Sequence, residues 1–270
     1  MNSFNIWEGR KDLTKDLVRS LIRGEYVAII VRDYITESDC ERIQENFINH
    51  PGIQQRKDIP AVEIGANSYG VTTQDYFLGS CQVMGDLWDL MTETSNPVIR
   101  ALTDFQRGLD EGVALRPAIH KGFLASPFRA VSWTGGNESD ENELALGLHE
   151  DVSQLSAPGL EDSEIAKIIE PIAINLYPSA AERGGELVIY DMKPNVSLRT
   201  ELGLETTGYP YPKNILNDIG CQSISLDDGC LVLLRGCYIH GVRPSLGIKP
   251  RILLNSFVGA INADTYVYYT

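Results

Sequence analysis

Asp227-Asp228-Gly229-Cys230-Leu231-Val232-Leu233-Leu234-Arg235-Gly236-Cys237-Tyr238-Ile239-His240-Gly241-Val242-Arg243 is the stretch on which the fold turns. Two short apolar runs, 230–235 and 237–243, are punctuated by Asp and Gly, the pattern of strands joined by tight turns. Similar runs lie near 122–133, 144–149, 171–178, 185–191, 222–226 and 251–259, separated by Gly, Pro, Asn and Asp. Upstream the period lengthens. Leu13, Leu17, Val18, Leu21 and Ile22 repeat at helical spacing before Gly24. Tyr26–Val31 reads as a strand, and Thr36 with Asp39 opens a helix running to Asn49. After a Gly- and polar-rich stretch from Gly65 to Gly79, helical patterns return at about 81–94 and 97–110. Helices come first and strands second, which predicts an α+β fold: a β-barrel or jelly roll with N-terminal helices packed on one side. We expect a single domain over 1–270, mainly helical over 1–112 and a strand-built core over 113–270.

The chain has 270 residues and a net charge of −14. That sign repels phosphate backbones and anionic lipid, so nucleic-acid and membrane partners are disfavoured, and the expected partner is a small molecule. Met1–Lys15 has no signal-peptide pattern, which predicts a cytoplasmic protein; oligomeric state is not legible. Five cysteines without a C-x-x-C pair are read as buried thiols.

Chemistry concentrates on two of the four histidines. His149-Glu150-Asp151 puts an imidazole and a carboxylate on one side of an extended segment, with Glu150 pointing away. His240 offers a second imidazole from a later strand. Two imidazoles and one carboxylate can hold a divalent cation on one face and leave the opposite face open. Arg251 heads Arg251-Ile252-Leu253-Leu254, expected to be the strand next to that of His240, where its guanidinium would hold a carboxylate bidentately. Arg243 competes but precedes Pro244. His50 is read as a helix-end residue and His120 as a strand-edge or core residue. In Ile172–Tyr177, alternation groups Ala173, Asn175 and Tyr177; that face either lines the barrel, where Asn175 and Tyr177 would hydrogen-bond a bound small molecule (the cosubstrate, on the resemblance given below), or meets solvent. Trp133 precedes a Gly- and acid-rich stretch of the kind that forms lids, and is a candidate substrate contact or a barrel-edge residue.

With these residues in hand, the chain resembles the Fe(II)- and 2-oxoglutarate-dependent oxygenases. His149, Asp151, His240 and Arg251 match that family's H-x-D, distal His and later Arg. Gly184-Gly185-Glu186-Leu187 and Asp227-Asp228-Gly229 resemble its turns, and Tyr26–Asn49 its opening strand and helix. The resemblance implies a double-stranded β-helix, cupin-like, with His149, Asp151 and His240 as catalytic metal ligands. It also implies Fe(II), 2-oxoglutarate and dioxygen as cofactor and cosubstrates. The C-terminal third, to Tyr266-Val267-Tyr268-Tyr269, looks closer still to the carrier-independent halogenases that act on free alkaloids. Those enzymes carry Gly at the carboxylate position, where this chain has Asp151. Hydroxylation of a small free metabolite such as an amino acid, alkaloid or natural-product intermediate is therefore expected. The alternatives are a divalent-metal cupin isomerase or hydrolase, and a non-catalytic cosubstrate-binding relative.

Overall fold

The computed structural model describes residues 4–56, 61–92, 95–133 and 144–270. Its first part runs β1 (Ile6–Arg10), α1 (Lys15–Ile22), β2 (Ala28–Arg32), α2 (Glu37–Ile48), β3 (Gln54–Gln55), β4 (Ala61–Ile64), α3 (Thr73–Gln82), α4 (Met84–Asp89) and α5 (Pro97–Gly108). Short strands follow: β5 (Ala114–Pro117), β6 (Ile119–His120), β7 (Phe123–Leu124), β8 (Arg129–Trp133) and β9 (Leu146–His149). Then come β10 (Ile172–Ser179), β11 (Arg183–Gly184), β12 (Leu187–Tyr190), α6 (Val196–Leu202) and β13 (Cys221–Ile224). The chain closes with β14 (Cys230–Arg235), β15 (His240–Val242), β16 (Ser245–Leu246), β17 (Arg251–Asn262) and β18 (Thr265–Tyr269).

A large sheet is ordered β1-β2-β14-β10-β17-β8-β4-β3, with β18 pairing β17 and β5; a smaller one is ordered β13-β12-β15-β9. The alternation of strand side chains sorts the core in two. Ile29, Val31, Ile174, Leu176, Leu231, Leu233, Ile252 and Leu254 pack under α1, α2 and α5. Ala173, Tyr177, Val232, Leu234, Leu253 and Phe257 face the other way, against Leu187, Ile189 and Val242 of the smaller sheet. Both faces of the central strands are buried, which is why 230–235 and 251–259 read as continuous apolar runs instead of alternating ones. Two sheets face to face with helices behind the larger one make an α+β jelly roll.

Several expectations need correction. The N-terminal part is mainly helical as expected and β2 matches the strand read over Tyr26–Val31, but β4, which joins the large sheet, was not anticipated. The Gly-rich stretch before residue 80 contains the start of α3, capped by Thr72, whose Oγ1 accepts from the Asp75 N–H. β17 is not the neighbour of β15. It lies between β10 and β8 in the opposite sheet, because Ile252, Leu254 and Val258 need the helix-covered face that only the large sheet has. Of the five free thiols, Cys81 and Cys221 are exposed. The proposed lid falls mostly on 134–143, outside the described residues. Among the described residues no helix is long and apolar enough to cross a membrane.

The turn into β14 is tightly built. The Gly229 carbonyl accepts from the Tyr34 and Ile35 N–H groups at 2.9 and 3.0 Å, and its own N–H donates to the Tyr177 carbonyl at 2.8 Å. Its φ is +81°, and a Cβ there would lie 2.6 Å from the Ile35 carbonyl oxygen. Gly229→Ala is expected to lower unfolding free energy by about 1–3 kcal/mol, read as an earlier urea midpoint with an unchanged slope.

Candidate metal centre

His149 ends β9 and His240 begins β15, and the two are direct cross-strand partners, with ring centroids 4.1 Å apart. Asp151 lies two residues on, where the chain has left the strand; its N–H donates to the Gly236 carbonyl at 2.7 Å. Gly236 is needed there, since a Cβ would meet Asp151 Oδ2 at 2.5 Å. The three side chains present donor atoms all within 4.8 Å of one another.

The proton positions follow from the neighbours. His149 Nδ1 lies 2.8 Å from the Gly147 carbonyl and His240 Nδ1 2.8 Å from the Tyr238 carbonyl. A carbonyl can only accept, so each Nδ1 carries hydrogen and each Nε2 presents its lone pair. Burial pushes both imidazoles down to about 4, in His149 assisted by His240, so both are neutral. Asp151 Oδ1 accepts from Gln154 Nε2 at 3.2 Å, whereas buried Oδ2 has no hydrogen-bond partner and lies 3.7 Å from His240 Nε2. Burial raises this carboxyl to about 7, against the pull of His149. Two neutral nitrogen donors and an orphaned carboxylate oxygen fit a divalent cation of borderline softness, with the backbone carbonyls orienting the rings from behind.

The cavity over this cluster is lined from both sheets. Arg251 is 2% exposed, its Nη1 is without a hydrogen-bond partner, and its guanidinium carbon sits 5.1 Å from the ring centroids of both Trp133 and Tyr177. Burial pulls its pKa down, and Tyr177 is the group that counters this. A permanent cation enclosed by two rings is a receptor for an anion. Asn175 and Tyr177 also line the cavity, which resolves the open face of β10 in favour of the interior; Asn175 Oδ1 accepts from Asn255 Nδ2 at 2.8 Å. Trp133 lines it as well, and Arg243 does not. His50 follows α2 and accepts from the Gly52 N–H, and His120 is buried beside Phe77.

Sequence reasoning missed how Glu150 is used. It turns from the donor cluster as expected, but into a buried network. Its carboxylate accepts from the Val152 N–H at 2.6 Å, from the Ser153 N–H and hydroxyl, and from Tyr211. Arg199 on α6 lies 3.3 Å away. This anchor fixes the backbone between His149 and Asp151. Arg129, Tyr209 and Gln154 at the cavity wall were also missed. For Arg129 a signal existed: counting back by twos from Trp133 through Val131 reaches it.

The family described as carrier-protein-independent halogenase WelO5 matches residues 10–270. The chain is 29% identical over 253 residues to the L-isoleucine 3(1)-dioxygenase of Pantoea ananatis (strain AJ13355), covering 90% of this chain and 83% of that protein. An N-substituted L-amino acid dioxygenase from Burkholderia ambifaria AMMD, solved with alpha-KG, superposes with a TM-score of 0.58 at 15% identity, over 95% of this chain and 91% of that one. The alpha-ketoglutarate-dependent epimerase SnoN from nogalamycin biosynthesis gives 0.51 at 11%, over 91% and 85%. At such identities the two structures speak to the fold, and the fold agrees.

Arg199→Met leaves the Glu150 carboxylate buried without its cation. Unfolding free energy is expected to fall by about 3–5 kcal/mol in urea titrations. An unchanged midpoint would show that the pair does not anchor this turn.

Proposed function

The chain belongs to the carrier-protein-independent halogenase WelO5 family, and from that footing we propose that it hydroxylates a free amino acid, with His149, Asp151 and His240 holding iron and Arg251 the cosubstrate. It is an Fe(II)- and 2-oxoglutarate-dependent dioxygenase acting on a small molecule. The isomerase, hydrolase and non-catalytic alternatives fall with that assignment. An amino acid is favoured because the isoleucine dioxygenase aligns along nine-tenths of the chain.

Iron, 2-oxoglutarate and dioxygen, when bound, would supply the oxidising power for hydroxylating an unactivated C–H bond, with succinate and carbon dioxide as by-products. The remaining tasks are the protein's. The Nδ1–H bonds to the Gly147 and Tyr238 carbonyls hold both rings with Nε2 inward. The Arg251 guanidinium, flanked by Trp133 and Tyr177, takes the far carboxylate of the keto acid in a bidentate contact. Ala173, Leu187, Val242, Leu253 and Phe257 supply apolar wall that limits competing water. No side chain need act as acid or base in the hydrogen abstraction.

The observation that carries hydroxylation rather than halogenation is Asp151. Its unpartnered Oδ2 faces the imidazoles and brings negative charge to the place where a halide would bind. A carboxylate in that position opposes chloride both sterically and electrostatically.

Anaerobic addition of Fe(II) and 2-oxoglutarate is expected to give a weak visible charge-transfer band, and a panel of free L-amino acids to contain one that accelerates succinate release. Arg251→Met should raise the 2-oxoglutarate requirement about 30-fold or more while iron binding persists. No band and no succinate would overturn the reading.

Turnover in chloride or bromide is expected to yield only oxygenated product. Asp151→Gly should bind halide and lose most hydroxylation. Mass spectrometry of the products checks this, and a halogenated product from the unaltered protein would refute the role given to Asp151.

A further inference from the structure

Among the described residues three arginines line the cavity: Arg251, Arg129 and Arg56. β8 pairs β17 with Trp133 opposite Arg251 and Arg129 opposite Asn255. Arg129 and Arg251 therefore face the same cavity at opposite ends of a four-residue interval, about 13 Å apart along the strand direction. Arg251 is held beside Trp133 and Tyr177 and Arg129 on Asn255, so each guanidinium is fixed by partners at its own end of that interval.

Arg129 is held but not satisfied. Its Nε donates to Asn255 Oδ1 at 3.1 Å, and Asn255 in turn donates to Asn175, a ladder that fixes the guanidinium plane. Its Nη1 is buried with no hydrogen-bond partner. The nearest carboxylate is Glu63 on β4, whose Oε2 lies 4.0 Å from this Nη1 but 3.4 Å from Arg56 Nη1. Glu63 is thus too far to hydrogen-bond Arg129. Burial and neighbouring Arg56 lower the Arg129 pKa, while Glu63 and Asp151 oppose this, which puts Arg129 within electrostatic reach of the candidate metal ligand. Held by Asn255, with a buried Nη1 that makes no hydrogen bond, the half-buried Arg129 cation has only the 4.0 Å contact to Glu63 to balance it in the cavity that holds the donor cluster.

We propose that Arg129 anchors the carboxylate of the substrate, so that the enzyme takes free carboxylic acids of the α-amino acid type and rejects their neutral derivatives. This rests on the reading of Arg251 as the cosubstrate site, which leaves Arg129 for a second anion. The carboxylate sits at the Asn255 end of the inner face, and the hydrocarbon part of the substrate reaches back toward His149, Asp151 and His240. Recognition is then of the acid group, with the attacked carbon set by its reach from that anchor.

The test is anaerobic calorimetry on the full chain loaded with Fe(II) and 2-oxoglutarate, using the twenty proteinogenic L-amino acids and their primary carboxamides. At least one acid is expected to bind, about 100-fold more tightly than its amide. Arg129→Gln should weaken that acid about 100-fold and bring the acid-to-amide ratio near one, and Arg129→Lys should restore part of the preference. Because the acid-to-amide comparison is made first on the unaltered protein, it stands even if a variant fails to fold. Equal binding of acid and amide, no binding by any acid, or a preserved ratio in Arg129→Gln would each overturn the proposal. So would an Arg129→Gln variant whose defect lies in 2-oxoglutarate binding alone. Failure of the cofactor reading is seen separately, as absence of the charge-transfer band.

Discussion

The cross-strand pairing of His149 with His240 fixes the geometry from which everything else in the cavity follows. Being opposed residues of an antiparallel pair, they share one face of the smaller sheet, and that face is turned toward the larger sheet. Their rings are locked from behind by the carbonyls two residues earlier in the chain, Gly147 and Tyr238. A slip of one residue in this register would send one ring to the outer face and dismantle the donor set. The pairing is protected at both ends. Gly236 leaves room for Asp151 to fold over the pair, and the Glu150–Arg199 contact holds the intervening backbone from the far side.

The large sheet serves the site in a complementary way. Its outer face is sealed by α1, α2 and α5 over Ile29, Ile174, Leu233 and Leu254, so the apolar inner layer need not supply the whole core. That frees inner positions for groups a barrel core would otherwise exclude: Asn175, Tyr177, Asn255, Arg129 and Arg251. Cations line the cavity of a protein whose net charge is −14. Buried guanidiniums in a low-dielectric wall keep their attraction for anions largely independent of the acidic surface.

How much of this was legible follows from the kind of signal involved. His149, Asp151, His240 and Arg251 are chemically distinctive residues at the ends of recognisable strands, so type and spacing sufficed. The face of Asn175 and Tyr177 was ambiguous because β10 is buried on both sides, and alternation cannot tell an interior polar face from a solvated one. Arg129 was overlooked although it shares the face of Val131 and Trp133 in one uninterrupted strand, because 122–133 reads as one longer run that hides where β8 begins. Glu150 could not be understood without Arg199, a partner brought by α6 from far along the chain. The start of α3 carried a local signal in Thr72 and Asp75, masked by the surrounding Gly and polar residues. The sheet exchange between β15 and β17 was not legible at all, since nothing local says which sheet a strand joins.

Family and reaction outcome separate at Asp151. The chain shares its family with halogenases over residues 10–270, so family membership alone does not decide what would be transferred. On the proposed reading, that decision would fall to the third donor position, Asp151. A carboxylate there is not a passive remnant: burial has raised its pKa to about 7, which means the folded protein bears a cost for keeping it charged until a cation relieves it. Loss of the carboxylate would remove that cost and open the position at once. If Asp151 holds the cation as proposed, one residue would couple three quantities: the stability of the cation-free protein, the affinity for the cation, and the exclusion of halide. Gly236 ties the backbone to the same choice, because any side chain there would collide with the Asp151 carboxylate. The carboxylate is consequently built into this chain's packing as well as its chemistry, and its removal would leave a void beside Gly236 that halide or water must fill.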